Sequence, residues 1–162
     1  MTIQKIENYL EKHFFLVFPY HSEYYSLMRS HSPFGLRYSL VTTDAAPQQR
    51  NSLELLCTQA SLDNVILLAD AIRDIEIPDW SDPSWTSYEA VRHTAIIYGS
   101  EVHFLYHGIG YWISHGNDGA AYLSDNLGNT QCFRSCRDLF ENARVEGSTL
   151  ADIWKNVSVD AC

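Results

Sequence analysis

Apolar residues near the start of the chain recur at the spacing of an amphipathic helix. They are Ile3, Ile6, Tyr9 and Leu10. With Thr2 as a possible N-cap, this spacing predicts an opening helix over residues 2–13. The aromatic and branched run 14–18 follows and stops at Pro19. It either continues the helix or forms a buried strand, because so short a run has no decisive period.

The next segments are shorter, and their patterns change quickly. Alternation of apolar and polar residues indicates strands, and clusters of polar residues with proline indicate loops. The elements predicted on this basis are a short helix at 20–29, a strand at 36–42, a loop at 43–51 and a strand at 53–58.

The strongest pattern of the central region begins at Ser61, a residue type that caps helices well. The apolar residues after it are Leu62, Val65, Ile66, Leu68, Ala69 and Ile72. Their spacing gives a broad apolar face and predicts a helix over residues 62–74. Residues 88–99 are ambiguous, and we expect either a helix that runs into a strand or a strand throughout.

Short apolar runs separated by Gly, Asn and Asp fill the region after Glu101. Such punctuation is typical of strands joined by tight turns, so it predicts an antiparallel β-meander. The predicted strands are 102–107, 111–114, 120–124 and 131–134.

The tail has the signals of two short helices. Ser135 and Asp138 resemble a capping box, which predicts a helix over residues 136–146, and Gly147 suits its C-terminal end. The apolar residues Leu150, Ile153, Trp154 and Val157 then recur at helical spacing. We therefore expect one α+β domain over residues 1–162. Its helices are N-terminal and central, its meander is late, and two short C-terminal helices pack on the sheet.

The same tail carries a resemblance to a known class of proteins. It consists of a strand, Phe-x-Ser, a short helix ending in Glu-Asn-Ala-Arg-Val-Glu-Gly and the run Ser-Thr-Leu-Ala-Asp-Ile-Trp, in that order. This order resembles small immunity proteins of bacterial contact-dependent growth inhibition and related polymorphic toxin systems. The resemblance covers about the final third of the chain. The matched positions are Phe133, Ser135, Leu139, Ala143, Gly147, Leu150, Ile153 and Trp154. It implies that these residues are structural and that the protein has no active site.

Charge is unevenly distributed in this acidic chain. The formal net charge is −9, and residues 54–101 hold nine acidic and only two basic residues. We expect no nucleic-acid partner, because each phosphate contact needs a cation and the Lys and Arg residues do not cluster. A basic protein partner suits this charge better, although a solvated acidic surface would also give solubility.

Location in the cell is inferred from the start of the chain and its apolar runs. The first residues contain acids where a secretory signal has an apolar core, and the longest aliphatic run, 65–69, is far shorter than the roughly 20 residues that cross a bilayer. We expect a cytoplasmic protein that does not bind membranes. Its cysteines would stay reduced there, and Cys132 and Cys136 are spaced for structural roles rather than for a redox or zinc pair.

The segment 76–85 combines prolines, carboxylates and tryptophans without a regular period. Apolar anchors surrounded by charges are typical of protein-binding surfaces, although Trp80 and Trp85 could instead fold back into the core. The predicted partner-binding residues are Asp74, Glu76, Asp79, Trp80, Asp82 and Trp85.

Candidate catalytic residues do not form a recognisable site. His103 and His107 are four residues apart on a predicted strand, where roughly 3.3 Å per residue separates them by about 13 Å, too far for one metal ion. Ser114 lacks the Gly-x-Ser-x-Gly context of a hydrolase nucleophile, and Gly108-Ile-Gly110 lacks the third glycine of a dinucleotide site. We expect no catalytic residues, no metal and no cofactor.

Three classes of function remain open: an immunity protein, a small hydrolase-like enzyme of unrecognised type, and a generic interaction protein. We expect the first, because the tail resemblance, the acidic middle and the lack of a catalytic motif all favour it. In this interpretation the chain binds the C-terminal domain of its cognate toxin, a basic nuclease-type domain, and blocks its surface with an acidic face.

Overall fold

The computed structural model describes residues 1–21, 23–63, 65–75 and 83–161. The chain divides into two compact units, Met1–Trp80 and Ser81–Cys162. Both are mixtures of helices and antiparallel strands, so the predicted α+β class is confirmed. The single domain expected for the whole chain stays a prediction. Within the described ranges, none of the helices has the length and apolar character needed to cross a membrane.

The first unit contains a four-stranded antiparallel sheet of order β1-β2-β3-β4, a helix before it and a helix–hairpin–helix arm after it. Its elements are α1 Ile3–His13, β1 Phe15–Tyr20, β2 Glu23–Ser32, β3 Gly35–Thr42, β4 Gln48–Arg50, α2 Leu53–Gln59, β5 Ser61–Leu62, β6 Ile66–Leu67 and α3 Leu68–Ala71. One face of the sheet packs against α1, α2 and α3. The core residues include Ile6, Leu10, Leu16, Phe18, Tyr25, Leu27, Tyr38, Leu40, Leu53, Leu56, Leu62 and Leu68.

The opening helix is confirmed, and the open question about residues 14–18 is resolved as a strand. Phe14 adopts a left-handed conformation with φ of 65°, and its N–H donates to the carbonyl of Leu10, which ends α1. The chain then enters β1. Pro19 is accommodated because β1 lies at the edge of the sheet, where a strand can dispense with an N–H donor.

Three elements predicted for the first unit are wrong, and the predicted loop 43–51 contains strand β4, Gln48–Arg50. Residues 20–29 are not a helix: Tyr25 and Leu27 are buried on one face of strand β2, which is a two-residue period. Residues 53–58 are not a strand. They form helix α2, capped by Ser52, because Leu53, Leu56 and Cys57 recur at helical spacing and are all buried.

The predicted helix over 62–74 is also wrong, and only Leu68–Ala71 of that segment is helical. Residues 61–62 and 66–67 instead pair as the small hairpin β5–β6. Asp63 has φ of 52°, a left-handed conformation that a continuous helix cannot contain. The apolar residues that suggested one long helix therefore belong to the β5–β6 hairpin and to one helical turn with the residue after it.

The second unit contains a five-stranded antiparallel sheet of order β10-β9-β8-β7-β13. Its elements are a 3₁₀ turn Pro83–Thr86, α4 Tyr88–Tyr98, β7 Val102–Tyr106, β8 Ile109–His115, β9 Ala121–Asp125, β10 Thr130–Phe133, α5 Cys136–Asn142, β11 Arg144–Val145, β12 Ser148–Thr149, α6 Leu150–Ile153, a 3₁₀ turn Trp154–Asn156 and β13 Ser158–Ala161. Helices α4, α5 and α6 cover one face of this sheet through a shared core.

The late meander and the two tail helices are confirmed, with three differences. Residues 88–98 are helical throughout, between a Ser87 cap and a left-handed Gly99, and contain no strand. Helix α5 ends at Asn142, four residues earlier than predicted, and the residues after it form the β11–β12 hairpin. Strand β13 was not predicted. It pairs with β7 at the edge of the sheet.

The second unit repeats the element order of the first: a helix, a four-stranded meander, a seven-residue helix, a small hairpin and a four-residue helix. The strand registers correspond as well. Phe18 is opposite Tyr25 as Phe104 is opposite Tyr111, and both ring pairs are stacked. The sequence Phe-x-Tyr-His-x-x-x-Tyr occurs at both places, and Leu-Ala-Asp begins both α3 and α6. The chain therefore contains two versions of one structural plan.

A glutamine side chain holds the small hairpin in each unit. The Gln48 amide donates to the Ser61 carbonyl at 2.8 Å and accepts from the Ser61 N–H at 3.1 Å. Gln131 makes the same two contacts with the backbone of Arg144, at 2.6 and 3.1 Å. Each amide thus satisfies two backbone groups at once, as a neighbouring strand would.

Replacing Gln48 with alanine is expected to lower the free energy of unfolding by about 1–2 kcal/mol, since it leaves two partly buried backbone groups of Ser61 without partners. Gln131→Ala is expected to cost less, because the backbone of Arg144 is exposed to water. Urea denaturation measures both. The matched control is Gln4→Ala on the exposed side of α1, with an expected change below about 0.5 kcal/mol. If Gln48→Ala and Gln4→Ala lowered the free energy of unfolding by the same amount, the role assigned to Gln48 would be contradicted.

Candidate functional site

Two of the predicted partner-binding residues fall within the described parts of the chain. Asp74 is exposed in the turn after α3 of the first unit. Trp85 is half-buried in the 3₁₀ turn that begins the second unit. Glu76, Asp79, Trp80 and Asp82 lie outside the described residues. The predicted surface thus stays a prediction, with Asp74 as its described, solvent-exposed member.

The segment 53–74 of the first unit, called the helical arm below, carries exposed carboxylates that lack a cationic partner among the described residues. Glu54 in α2, Asp70 in α3 and Asp74 are all exposed, and none forms an ion pair with another described residue. Asp63 differs, since it contacts His21 and Tyr25. Because uncompensated carboxylates attract cations, this arm presents a negative surface to solvent.

A Tyr–His–carboxylate group links two turns of the first unit. The Tyr25 hydroxyl donates to the Asp63 carboxylate, and His21 Nδ1 lies 3.3 Å from the other oxygen of Asp63. Burial, followed by the hydrogen bond to Asp63, raises the pKa of Tyr25 well above its usual range. The phenol is therefore protonated at neutral pH and serves as a hydrogen-bond donor.

The second unit repeats the His–carboxylate contact at the corresponding positions, beside Tyr111. His107 Nδ1 lies 2.9 Å from Glu146 Oε2, and burial followed by the charge of Glu146 raises the pKa of Tyr111. Both histidines and both carboxylate residues have φ between 50° and 54°, which is unfavourable for residues other than glycine. The histidine side chains are 65% and 58% exposed, so each ion pair contributes little energy by itself. We interpret the group as a turn clasp: it joins the first β-turn of each sheet to its small hairpin.

The clefts beside these clasps are small. In the first unit, a cleft of about 180 Å³ is lined by Tyr25 with Glu23, Asp44 and Asp63. Its counterpart in the second unit, beside Tyr111 and Gln131, has about 60 Å³. Both are below the roughly 300 Å³ of an ordinary small-molecule site. Over the described ranges, His, Cys, Asp and Glu side chains form no group of three that could hold a metal ion.

Buried titratable groups of the chain are poorly suited to reaction with solvent. Burial raises the pKa of the Cys57 thiol to about 11 and that of Cys136 to about 12, so both are protonated at neutral pH. Burial, with a smaller effect from the charge of Arg92, lowers the pKa of His93 to about 4. Each of these side chains lies on the buried face of its helix.

The structure also shows an exposed apolar feature that sequence reasoning missed. Val65 was assigned to the apolar face of a predicted helix that also contained Leu67, but the exposures of the two side chains are 82% and 42%. Both lie in the β5–β6 hairpin, beside the exposed carboxylates of the helical arm. The signal in the sequence was the repeated Leu-Ala-Asp, which aligns Leu67 with Thr149 and marks both as residues before a short helix.

The buried His93 is expected to make stability depend on pH. Its folded pKa of about 4 is below the value of 6.5 that is usual for a histidine in an unfolded chain, so its contribution to stability is full above pH 6.5 and is lost as the pH falls toward 4. The free energy of unfolding should fall by up to about 1.4 kcal/mol per pH unit in that window. Urea denaturation at several pH values gives the free energy of unfolding as a function of pH. This curve should be flatter for His93→Gln than for the wild-type chain. The control is His31→Gln, which changes an exposed histidine. If the pH dependence of His93→Gln matched that of the wild-type chain and of His31→Gln, this assignment would be contradicted.

Comparisons with protein-family models, with characterised proteins and with solved structures find no match for this chain.

Proposed function

We propose that the chain is an immunity protein: it binds the C-terminal domain of a cognate toxin in the cytoplasm and neutralises it without catalysing a reaction. The observation that carries the proposal is the negative surface of the first unit. Glu54, Asp70 and Asp74 are exposed there without a cationic partner among the described residues. Charges that the fold does not use are available to a partner of opposite charge.

The tail that resembles immunity proteins supports the proposal, because its matched residues have structural roles and form a scaffold. Most of its matched positions are buried or cap a helix: Leu139, Ala143, Leu150, Ile153 and Trp154 are buried, and Ser135 caps α5. Side chains in these positions specify packing and cannot select a partner. Selection of one toxin among many then has to come from exposed residues elsewhere, which is where the uncompensated carboxylates lie.

Electrostatic occlusion is the proposed mechanism. A toxin that acts on nucleic acid needs a basic cleft for phosphates, and carboxylates can occupy that cleft through charge-assisted hydrogen bonds to Lys and Arg. Asp74, together with Glu76, Asp79, Trp80, Asp82 and Trp85 of the predicted surface, would supply acids and apolar anchors for this contact. Losing one partner of such a buried charge pair costs on the order of 2–5 kcal/mol.

Co-expression tests the function directly. The C-terminal domain encoded by the reading frame immediately upstream is expressed inducibly, with and without this chain, and growth is recorded. We expect the domain to stop growth and the chain to restore it. Asp74→Lys and Trp80→Ala should weaken the rescue while the protein stays folded by circular dichroism. A harmless upstream domain, or toxicity that this chain leaves unchanged, would refute the proposal.

Charge reversal on the helical arm is expected to slow association with the purified toxin domain. Glu54→Lys, Asp70→Lys and Asp74→Lys should each reduce the association rate, and the rate for the wild-type chain should fall as salt is raised from low to physiological concentration. Surface plasmon resonance measures these rates. Glu141→Lys, an exposed residue of α5 in the second unit, makes the same change in net charge and is the matched control. Equal slowing by the control would assign the effect to net charge alone.

A further inference from the structure

The β5–β6 hairpin of the first unit exposes aliphatic side chains that its own core does not use. These are Val65, which is 82% exposed, and Leu67, which is 42% exposed, while Ile66 between them is partly buried and packs against the core. These three residues are called the aliphatic arm below. Leu68, immediately after them, is fully buried in the core. Exposed aliphatic side chains that cluster in this way are typical of contact surfaces.

The second strand of the corresponding hairpin in the second unit is polar, and that hairpin is one residue shorter. Ser148 and Thr149 stand where the first unit has Ile66 and Leu67. The loop of the second hairpin has two residues, 146–147, and the loop of the first has three, 63–65. Val65 immediately precedes β6 and is the most exposed residue of the arm.

Helix α3 of the first unit also lacks the capping box that α6 has in the second. In the second unit the Thr149 hydroxyl caps α6, and the Asp152 carboxylate accepts from the Thr149 N–H. Hydrogen bonds to Thr149 lower the pKa of Asp152. The first unit has Leu67 at the cap position with no side-chain cap, and Asp70, the counterpart of Asp152, is left exposed without this partner. Leucine is a poor N-cap, so the first unit is less well stabilised at this point.

We infer that the aliphatic arm, with Asp70 and Asp74, is the docking surface for the cognate toxin domain, whose complementary site is an apolar pocket rimmed by Lys or Arg. The inference rests on the proposed function. The fold gains nothing from an exposed Leu67 and an uncapped α3, since the second unit shows the same elements with polar residues and a capping box. Contact with an apolar pocket would bury Val65 and Leu67, and Asp70 would pair with a cation.

Charge complementarity selects a basic partner for this surface. Residues 54–75 contain four acids, Glu54, Asp63, Asp70 and Asp74, and one base, Arg73. A second copy of this chain would bring like charges together around the arm, in a protein whose net charge is −9. A basic domain instead gains attraction around an apolar centre, which is the usual arrangement of a protein interface.

Exchanging residues between the two hairpins tests the inference. Leu67→Thr places the residue of the second unit at the cap of α3, where it can form a capping box with Asp70. We expect this variant to unfold at a temperature about 2–4 °C higher and to bind the upstream toxin domain about tenfold more weakly or worse. Val65→Ser should weaken binding without changing the unfolding temperature, because the side chain is largely exposed.

Thr149→Leu in the second unit is the matched control. It removes the existing capping box and should lower the unfolding temperature while binding stays unchanged. Calorimetry measures affinity, and light scattering measures self-association. If the wild-type chain binds the domain and Leu67→Thr and Val65→Ser bind it equally well, the docking surface is refuted and immunity is retained. Failure of the wild-type chain to bind the domain overturns both proposals. Self-association that Val65→Ser abolishes would assign the arm to a second copy and refute the inference.

Discussion

Each unit of this protein depends on covering one face of a four-stranded antiparallel meander. The strands satisfy their own backbone groups, but the apolar side chains on that face must be shielded from water by elements before and after the meander. A helix precedes each sheet, and a helix–hairpin–helix arm closes it. The arm can sit there only if its hairpin is held in place, and in both units a glutamine amide from the last strand of the meander does this.

Sequence reasoning predicted the second unit better than the first, for physical reasons. Gly108, Gly119 and Gly128 have positive φ and punctuate the late meander, so its strands could be read from turn chemistry. Between β7 and β8 the sequence has Gly108, but between β1 and β2 it has no glycine, so the first strands lacked that signal. The helix predicted over 62–74 failed because the long-range contact from Gln48 outweighs local periodicity, and a pattern of apolar residues carries no information about such a contact.

The candidate surface was only partly predictable. Acidity in the middle of the chain pointed to the correct part of the sequence for the exposed carboxylates, because charged side chains are rarely buried. The aliphatic arm was missed because apolar residues are assigned to the core by default, and exposure of Val65 and Leu67 follows from the hairpin and not from their type. Comparing two versions of one structural plan separates what the fold requires, such as Gln48 and Gln131, from what only one unit has adopted.

The matching strand registers have a consequence for folding. A chain with two copies of one topology offers each strand two partners of compatible register, which favours cross-pairing between repeats and exchange of strands between molecules. Differences at the paired positions oppose such errors. Leu27 is opposite Leu40 in the first sheet, and Ile113 is opposite Leu123 in the second. The residues opposite the two corresponding tyrosines differ, however. Thr42 is opposite Tyr25, and Asp125 is opposite Tyr111. Thr42 has a hydroxyl and Asp125 has a carboxylate, so pairing with the wrong repeat places a different group opposite the tyrosine. This difference distinguishes the wrong pairing from the right one during folding.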